Sequence, residues 1–129
     1  MSNPAPSFSR VPFRLLIFEK GEIKGELVRH LAPLTNSQLI KVGQIEGIIT
    51  REGEQVVMLA GVRAGLEKSK KDFEPGSVAL LPLDGSIRFI LSKQSVARPM
   101  NHIGEVKEGL SLLAKAKSGD RAQLIIGQL

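Results

Sequence analysis

Four turn signals dominate the chain: Glu19-Lys20-Gly21-Glu22, Glu52-Gly53, Glu74-Pro75-Gly76 and Asp84-Gly85. Each combines glycine with a polar or proline neighbour, the chemistry of tight hairpins and turns. They leave apolar runs too short for ordinary helices: Phe13 to Phe18 (FRLLIF), Ile23 to Val28, Ile45 to Thr50, Gln55 to Ala60 (QVVMLA), Ser77 to Leu81 and Ser86 to Leu91 (SIRFIL). Short apolar runs bounded by turns read as strands. They do not alternate with helical segments, as a parallel sheet would require. The expectation is a mainly β, antiparallel protein of seven or eight short strands.

Two segments read as helices. Thr35, Asn36 or Ser37 can cap a short helix that runs to about Val42, and Gly43 ends it. Arg29 to Leu34 is ambiguous, with Pro33 limiting any helix before it. The second helix is predicted from Gly104 to Lys117. Val106, Leu110 and Leu113 fall at i, i+4 and i+7. Glu105 and Glu108 lie in its first turn and Lys115 and Lys117 in its last, matching the macrodipole. Gly119 is the expected C-cap. Gly109 inside a helix costs about 1 kcal/mol against alanine, so its presence marks close packing. Gly61 to Phe73 reads as a loop with one short strand, and Ser92 to Asn101 as a loop around Arg98-Pro99. Arg121 to Ile126 forms the last strand. Its Leu-Ile-Ile run needs cover, and pairing with the first strand would close a barrel and remove the edges.

The 129 residues make one domain. Residues 1–12, rich in proline and serine, read as a flexible N-terminal leader, and 13–129 as the folded domain. With no cysteine, disulfides and thiolate chemistry are excluded. Two histidines without cysteine argue against a zinc site, and no cofactor motif occurs. No apolar run approaches the ~20 residues of a membrane span, and no signal peptide is evident, so the expected location is cytoplasmic with no membrane partner. The net charge of +5 raises the question of nucleic acid. The basic residues are scattered, however. The cluster Lys68, Lys70 and Lys71 is diluted by Glu67, Asp72 and Glu74, and there is no Trp or Tyr to stack bases. A solvated positive face is the favoured reading, and a weak phosphate contact the lesser one.

Three motifs, in order, resemble the cyclophilins. Ala32-Pro33-Leu34-Thr35 looks like the family's Ala-Pro-Lys-Thr at its first helix. Gly85-Ser86-Ile87-Arg88-Phe89-Ile90 is similar to its Gly-Ser-Gln-Phe-Phe-Ile hairpin strand. Gly104-Glu105-Val106-Lys107-Glu108-Gly109-Leu110, followed by Gly127-Gln128-Leu129, is similar to its closing helix and tail. The short chain looks most like the small prokaryotic cyclophilin-like proteins of uncharacterised function. The resemblance implies a closed eight-stranded cyclophilin-like β-barrel capped by two short helices, one over each end.

The family's activity, peptidyl-prolyl cis-trans isomerisation, lowers a barrier of about 18–20 kcal/mol set by amide resonance. It relies on an arginine in a Phe-His-Arg strand. The corresponding strand here, Gln55-Val56-Val57-Met58-Leu59, has no Phe, His or Arg. The family's Gln-Gly-Gly-Asp segment has no counterpart, and Ile87 stands at its glutamine position. Phe89 matches the phenylalanine that lines the family's proline pocket. Ile87 and Phe89 share one strand face, and Arg88 faces away from them. Arg51 and Arg63 read as surface arginines. His102 lies near the family's pocket histidine, and His30 has no partner visible in sequence. The expected function is therefore a peptide- or small-molecule-binding module with a groove of Val57, Met58, Ile87, Phe89, Met100 and His102. No catalytic residue is assigned. The alternative is a weak, divergent isomerase using a different arginine.

Overall fold

The computed structural model describes residues 9–127. Strands β1 (Arg10–Ile17) and β2 (Gly21–Val28) form the first hairpin. A 3-10 turn at Arg29–Leu31 and helix α1 (Pro33–Val42) follow. Then come β3 (Gln44–Ile48), β4 (Thr50–Glu52), β5 (Gln55–Leu59), β6 (Lys70–Phe73), β7 (Ser77–Leu81), β8 (Ser86–Ile90) and β9 (Gln94–Glu108). Helix α2 (Leu110–Leu113) and β10 (Arg121–Ile126) complete the order. The ladders are antiparallel and run β3-β10-β1-β2-β9-β7-β8-β5-β4, with β6 paired to β9. The chain is thus mainly β and antiparallel, with two short helices.

The expected closed eight-stranded barrel is not formed. The last strand does pair with the first, Phe13 opposite Ile126. Its other edge, however, takes β3, with Leu124 opposite Ile45. The C-terminal strand therefore lies inside the sheet, and its pairing with β1 closes nothing. The path ends instead at β3 and β4, which adjoin in the chain on either side of Ile49. Ile49 turns into the core, 1% exposed. Its N–H donates to Asp120 O and its carbonyl accepts from Gly119 N, both at 2.8 Å. The loop before β10 thereby occupies the backbone groups that would otherwise carry the ladder onward.

Two apolar layers follow from strand alternation. The main core takes the inward side chains, including Phe13, Leu15, Leu80, Ile87 and Phe89, with Leu39 from α1 and Leu113 from α2. The rings of Phe13 and Phe89 meet edge-to-face at 6.2 Å. A second cluster, Phe73, Ala79, Leu81, Ile90 and Met100, forms on the opposite face with Val96 against it. All residues of β7 and β8 are buried as a result, which is why β7 reads as a nearly continuous apolar run, while β8 carries Ser86 and Arg88 on its second face.

The region from Ser92 to Lys117 departs from expectation. Most of the predicted loop and the first five residues of the predicted helix form one 15-residue strand, β9. Its stretch from Gly104 to Glu108 pairs with β2, and its middle with β7. Gly104 permits the close crossing: a Cβ there would collide with the Glu26 carbonyl and lie 2.9 Å from Leu27 Cα. Pairing on both edges outweighs the local helical periodicity, and α2 keeps only four residues. Pro99 is tolerated because the register with β6 jumps from Asp72–Ser95 to Lys70–Met100. A bulge of this kind releases residues from the ladder.

Helix α1 begins earlier than expected, with Pro33 in its first turn and Ala32 as N-cap. Thr35, Asn36 and Ser37 lie within it. Gly43, at φ 76°, ends it as expected. Arg10 to Pro12, assigned to the leader, belong to β1 and pair with β2. The rest of the leader, apart from Ser9, lies outside the described residues, as do Gln128 and Leu129. Among the described residues no helix is long and apolar enough to cross a membrane.

Candidate functional site

The six expected groove residues divide between different surroundings. Met58, Ile87 and Phe89 lie in the main core, each 1% exposed. Ile87 and Phe89 border an internal void of about 10 Å³ with Leu27 and Ile126. That is about the space of one water and no ligand site. Val57 and Met100 lie on the outer face of the sheet, each lining a different cleft. His102 is partly buried, edge-to-face with Phe73 at 5.9 Å, and its Nε2 lies 2.9 Å from Gly104 O. Burial and the nearby Lys70 ammonium disfavour the imidazolium and hold its pKa below the ordinary histidine value. The structure therefore does not gather the six into one groove.

The outer face carries the concave surface. A cleft of about 530 Å³ opens between β3 and β5, with Ile48 and Leu59 on its walls and Glu46 and Glu52 at its rim. A second, of about 380 Å³, runs across β8 towards β9 and includes Leu83, Arg98 and Met100. A third, of about 420 Å³, lies between the Gly61–Ala64 segment and the Pro82–Gly85 turn. Asp84 borders all three. Ile48, Leu59 and Leu83 are 62%, 66% and 68% exposed. Ile48 and Leu59 are exposed apolar walls of the first cleft, and Leu83 of the other two.

Between the first two clefts stands Arg88, only 7% exposed. It points away from Ile87 and Phe89, as alternation requires. Its Nε donates to Ser86 Oγ at 3.0 Å. Nη1 donates to Glu52 Oε1 at 2.9 Å and Gln55 Oε1 at 3.1 Å, and Nη2 to Asp84 Oδ2 at 3.3 Å. Burial works against the Asp84 carboxylate, but the Ser86 hydroxyl and N–H and the Arg88 charge outweigh it and hold its pKa below the usual range. Ser86 donates to Asp84 Oδ1 at 2.6 Å but is itself fully buried, so it is no exposed nucleophile. With four N–H groups committed, Arg88 cross-links the clefts. Electrostatic stabilisation of a reacting amide needs donors aimed at empty space, where the substrate will sit.

Other polar clusters are architectural. Glu67 reaches from the long loop to the start of α1 and accepts from Leu34 N, Thr35 N and Thr35 Oγ1 at 2.9, 2.8 and 2.7 Å. Asn101 closes the network by donating to Gly65 O and accepting from Glu67 N, both at 2.8 Å. A distant carboxylate thus does the work of the missing cap. Arg51 fastens the segment after α2, donating to Ala114 O and Ala116 O at 2.9 and 2.8 Å. The His30 carbonyl accepts from Lys68 Nζ at 2.8 Å. Among the described residues no group of three His, Asp or Glu side chains is placed to hold a metal ion.

Ile48, Leu59 and Glu46 do not figure in the sequence-predicted groove, yet a signal for the first two exists. Ile48-Ile49 and Met58-Leu59 are consecutive apolar pairs, and in a strand one member of each must face outward.

No family model matches the chain, and no curated protein does. Among solved structures, the chain is similar to the solution structure of the hypothetical protein AF2241 from Archaeoglobus fulgidus. The TM-score is 0.72 at 20% identity, over 94% of this chain and 96% of that one. At that identity the likeness concerns the fold alone.

Proposed function

We propose that the chain is a cyclophilin-like binding module that takes extended peptide segments on its outer face and does not catalyse prolyl isomerisation. The observation that carries this reading is the exposed apolar pair Ile48 and Leu59 in the cleft between β3 and β5, with exposed Leu83 in the neighbouring cleft. Exposed apolar patches beside concave surface mark interaction sites. Peptides are favoured over small molecules by the shape of the surface. Small ligands prefer enclosed sites of about 300–1,000 Å³ that bury most of their area. The void in the main core holds only about 10 Å³, and the larger spaces are open clefts. The cyclophilin resemblance is supported by the β8 motif, which follows its hairpin turn as expected. It does not extend to the pocket, because Phe89 is core.

The isomerase alternative gains no support from Arg88, four of whose five N–H donors are already taken. The reading is tested with a display library of extended decapeptides and fluorescence polarisation of the selected sequences. Leu59→Asp should weaken binding at least tenfold while leaving the melting temperature within about 2 °C. A library that yields no binder would end the proposal. So would protease-coupled prolyl isomerisation that disappears in Arg88→Lys.

A further inference from the structure

Among the described residues β3 ends the ladder path, so one of its edges has no hydrogen-bonded partner strand, although β5 comes within 8 Å of β3. Its hydrogen bonds identify which residues face that edge. Gly43 O accepts from Ile126 N, and Ile49 N donates to Asp120 O, both at 2.8 Å. Between them the register sets Ile45 opposite Leu124 and Gly47 opposite Ala122. Antiparallel strands alternate, so residues 43, 45, 47 and 49 turn their backbone groups towards β10. Gln44, Glu46 and Ile48 turn theirs towards the free edge, above the cleft shared with β5. Resting on the peptide-binding reading, we infer that a partner's extended segment adds to this edge as a further strand. Its recognition signature is a basic and an apolar residue two positions apart.

The signature follows from the side chains. Glu46 and Ile48 are both exposed and project from the same face of β3. An added strand would set one side chain across from each. Glu46 makes no ion pair among the described residues, and the Glu52 and Asp84 carboxylates stand nearby with only Arg88 against them. The cleft is therefore acidic on a chain whose net charge is +5. Lysine or arginine suits the place opposite Glu46. An apolar side chain opposite Ile48 also reaches Leu59. A second copy of this chain fits poorly. Antiparallel self-pairing that uses all three free residues sets Glu46 against Glu46, and like charges directly opposite are destabilising.

The probe is a capped nonapeptide with threonine at odd positions and lysine and leucine alternating at even ones. Added to the intact protein, it should slow amide hydrogen exchange at Gln44, Glu46 and Ile48 at least tenfold. Ile45 and Gly47, already bonded to β10, should change less than twofold. N-methylation of one alternate set of probe amides should weaken binding at least tenfold, and of the other set less than twofold. Replacing the probe lysines by glutamate, or making Glu46→Lys, should weaken it at least tenfold. If the probe binds and Leu59→Asp weakens it, but the three amides do not change or both methylated sets behave alike, strand addition is overturned and peptide binding stands. Library-selected peptides that bind where the probe does not would have the same consequence. Equal binding of the glutamate probe would remove the basic signature. Protection of the same three amides that rises with protein concentration, without peptide, would make a second copy the occupant and overturn the proposal. If neither the probe nor any library peptide binds, both readings fall.

Discussion

Phe89→Ala separates a core residue from a pocket residue by stability alone. Phe89 is 1% exposed and packs edge-to-face on Phe13 at 6.2 Å. It already borders a small void, so the site has little capacity to collapse around a deletion. Phe→Ala at such positions costs about 3–5 kcal/mol, combining lost transfer energy with the cavity left behind. With an unfolding entropy of about 2.1 cal/mol/K per residue, 129 residues give about 0.27 kcal/mol/K. The melting midpoint should therefore fall by about 11–18 °C in calorimetry or a circular-dichroism melt. Phe89→Leu, which keeps most of the volume, should cost about 1–1.5 kcal/mol. A side chain lining an open proline pocket would behave differently, since its truncation changes stability by only about 0.5 kcal/mol. A fall of less than about 4 °C (roughly 1 kcal/mol) with the spectrum intact would refute the core assignment.

Three further outcomes follow from the polar contacts. Arg88→Met removes four hydrogen bonds, but the Glu52 and Asp84 side chains are 51% and 40% exposed and water can replace them. Denaturant titration should give a loss of about 1–3 kcal/mol, and the Asp84 carboxyl should titrate at higher pH by NMR. Burial opposes ionisation of Glu67, but bonds from Thr35 and Leu34 and the Lys68 charge outweigh it, so its folded pKa is depressed below 4.5. Its stabilisation is present above that value and lost as pH falls through the folded pKa, and Glu67→Gln should flatten this part of an acid-unfolding curve. His102 is also depressed, from 6.5, by burial and Lys70. A base depressed in the fold stabilises fully above pH 6.5 and loses that contribution as pH falls towards the folded value. His102→Leu should remove the slope just below pH 6.5 from stability measured across a buffer series.

The turns were legible because glycine chemistry is local. Asp84-Gly85 forms the turn into β8, with Gly85 at φ 70°. The pairing of first and last strands was legible because a Leu-Ile-Ile run has few other ways to be covered. The parity of the buried strands was harder to read. Every residue of Ser86–Ile90 is buried, so alternation in the sequence cannot say which face meets the main core and which lies under the second cluster. A match to a pocket motif therefore gathered Ile87 and Phe89 into a groove, although the face they share is the main core. Helix α1 was legible in its body and its glycine stop, but not in its start. Its capping carboxylate, Glu67, comes from about thirty residues away in the chain, beyond the reach of any local capping rule.

Gly109 carries the sharpest disagreement between local pattern and tertiary structure, because the two predict opposite signs for one substitution. In the interior of a helix from Gly104 to Lys117, Gly109→Ala would stabilise by about 1 kcal/mol. In the fold, Gly109 stands between β9 and α2 at φ 95° and ψ 17°. An L-residue held there costs about 1–2 kcal/mol. An added Cβ would also lie 3.1 Å from Ile23 Cγ1 and 3.2 Å from Glu22 O and Ile23 Cα. Two of those neighbours are backbone atoms of β2, the strand that pairs with β9, so relief requires the ladder itself to move. The combined expectation is a loss of about 2–3 kcal/mol. Gly119→Ala is the control: φ is 100°, but nothing lies within 4 Å of the new methyl. It should show only the backbone cost, so the difference between the two variants measures the crowding against β2. A Gly109→Ala protein more stable than the parent would mean that Gly104 to Leu113 is helical after all, and that β9 ends before it reaches β2.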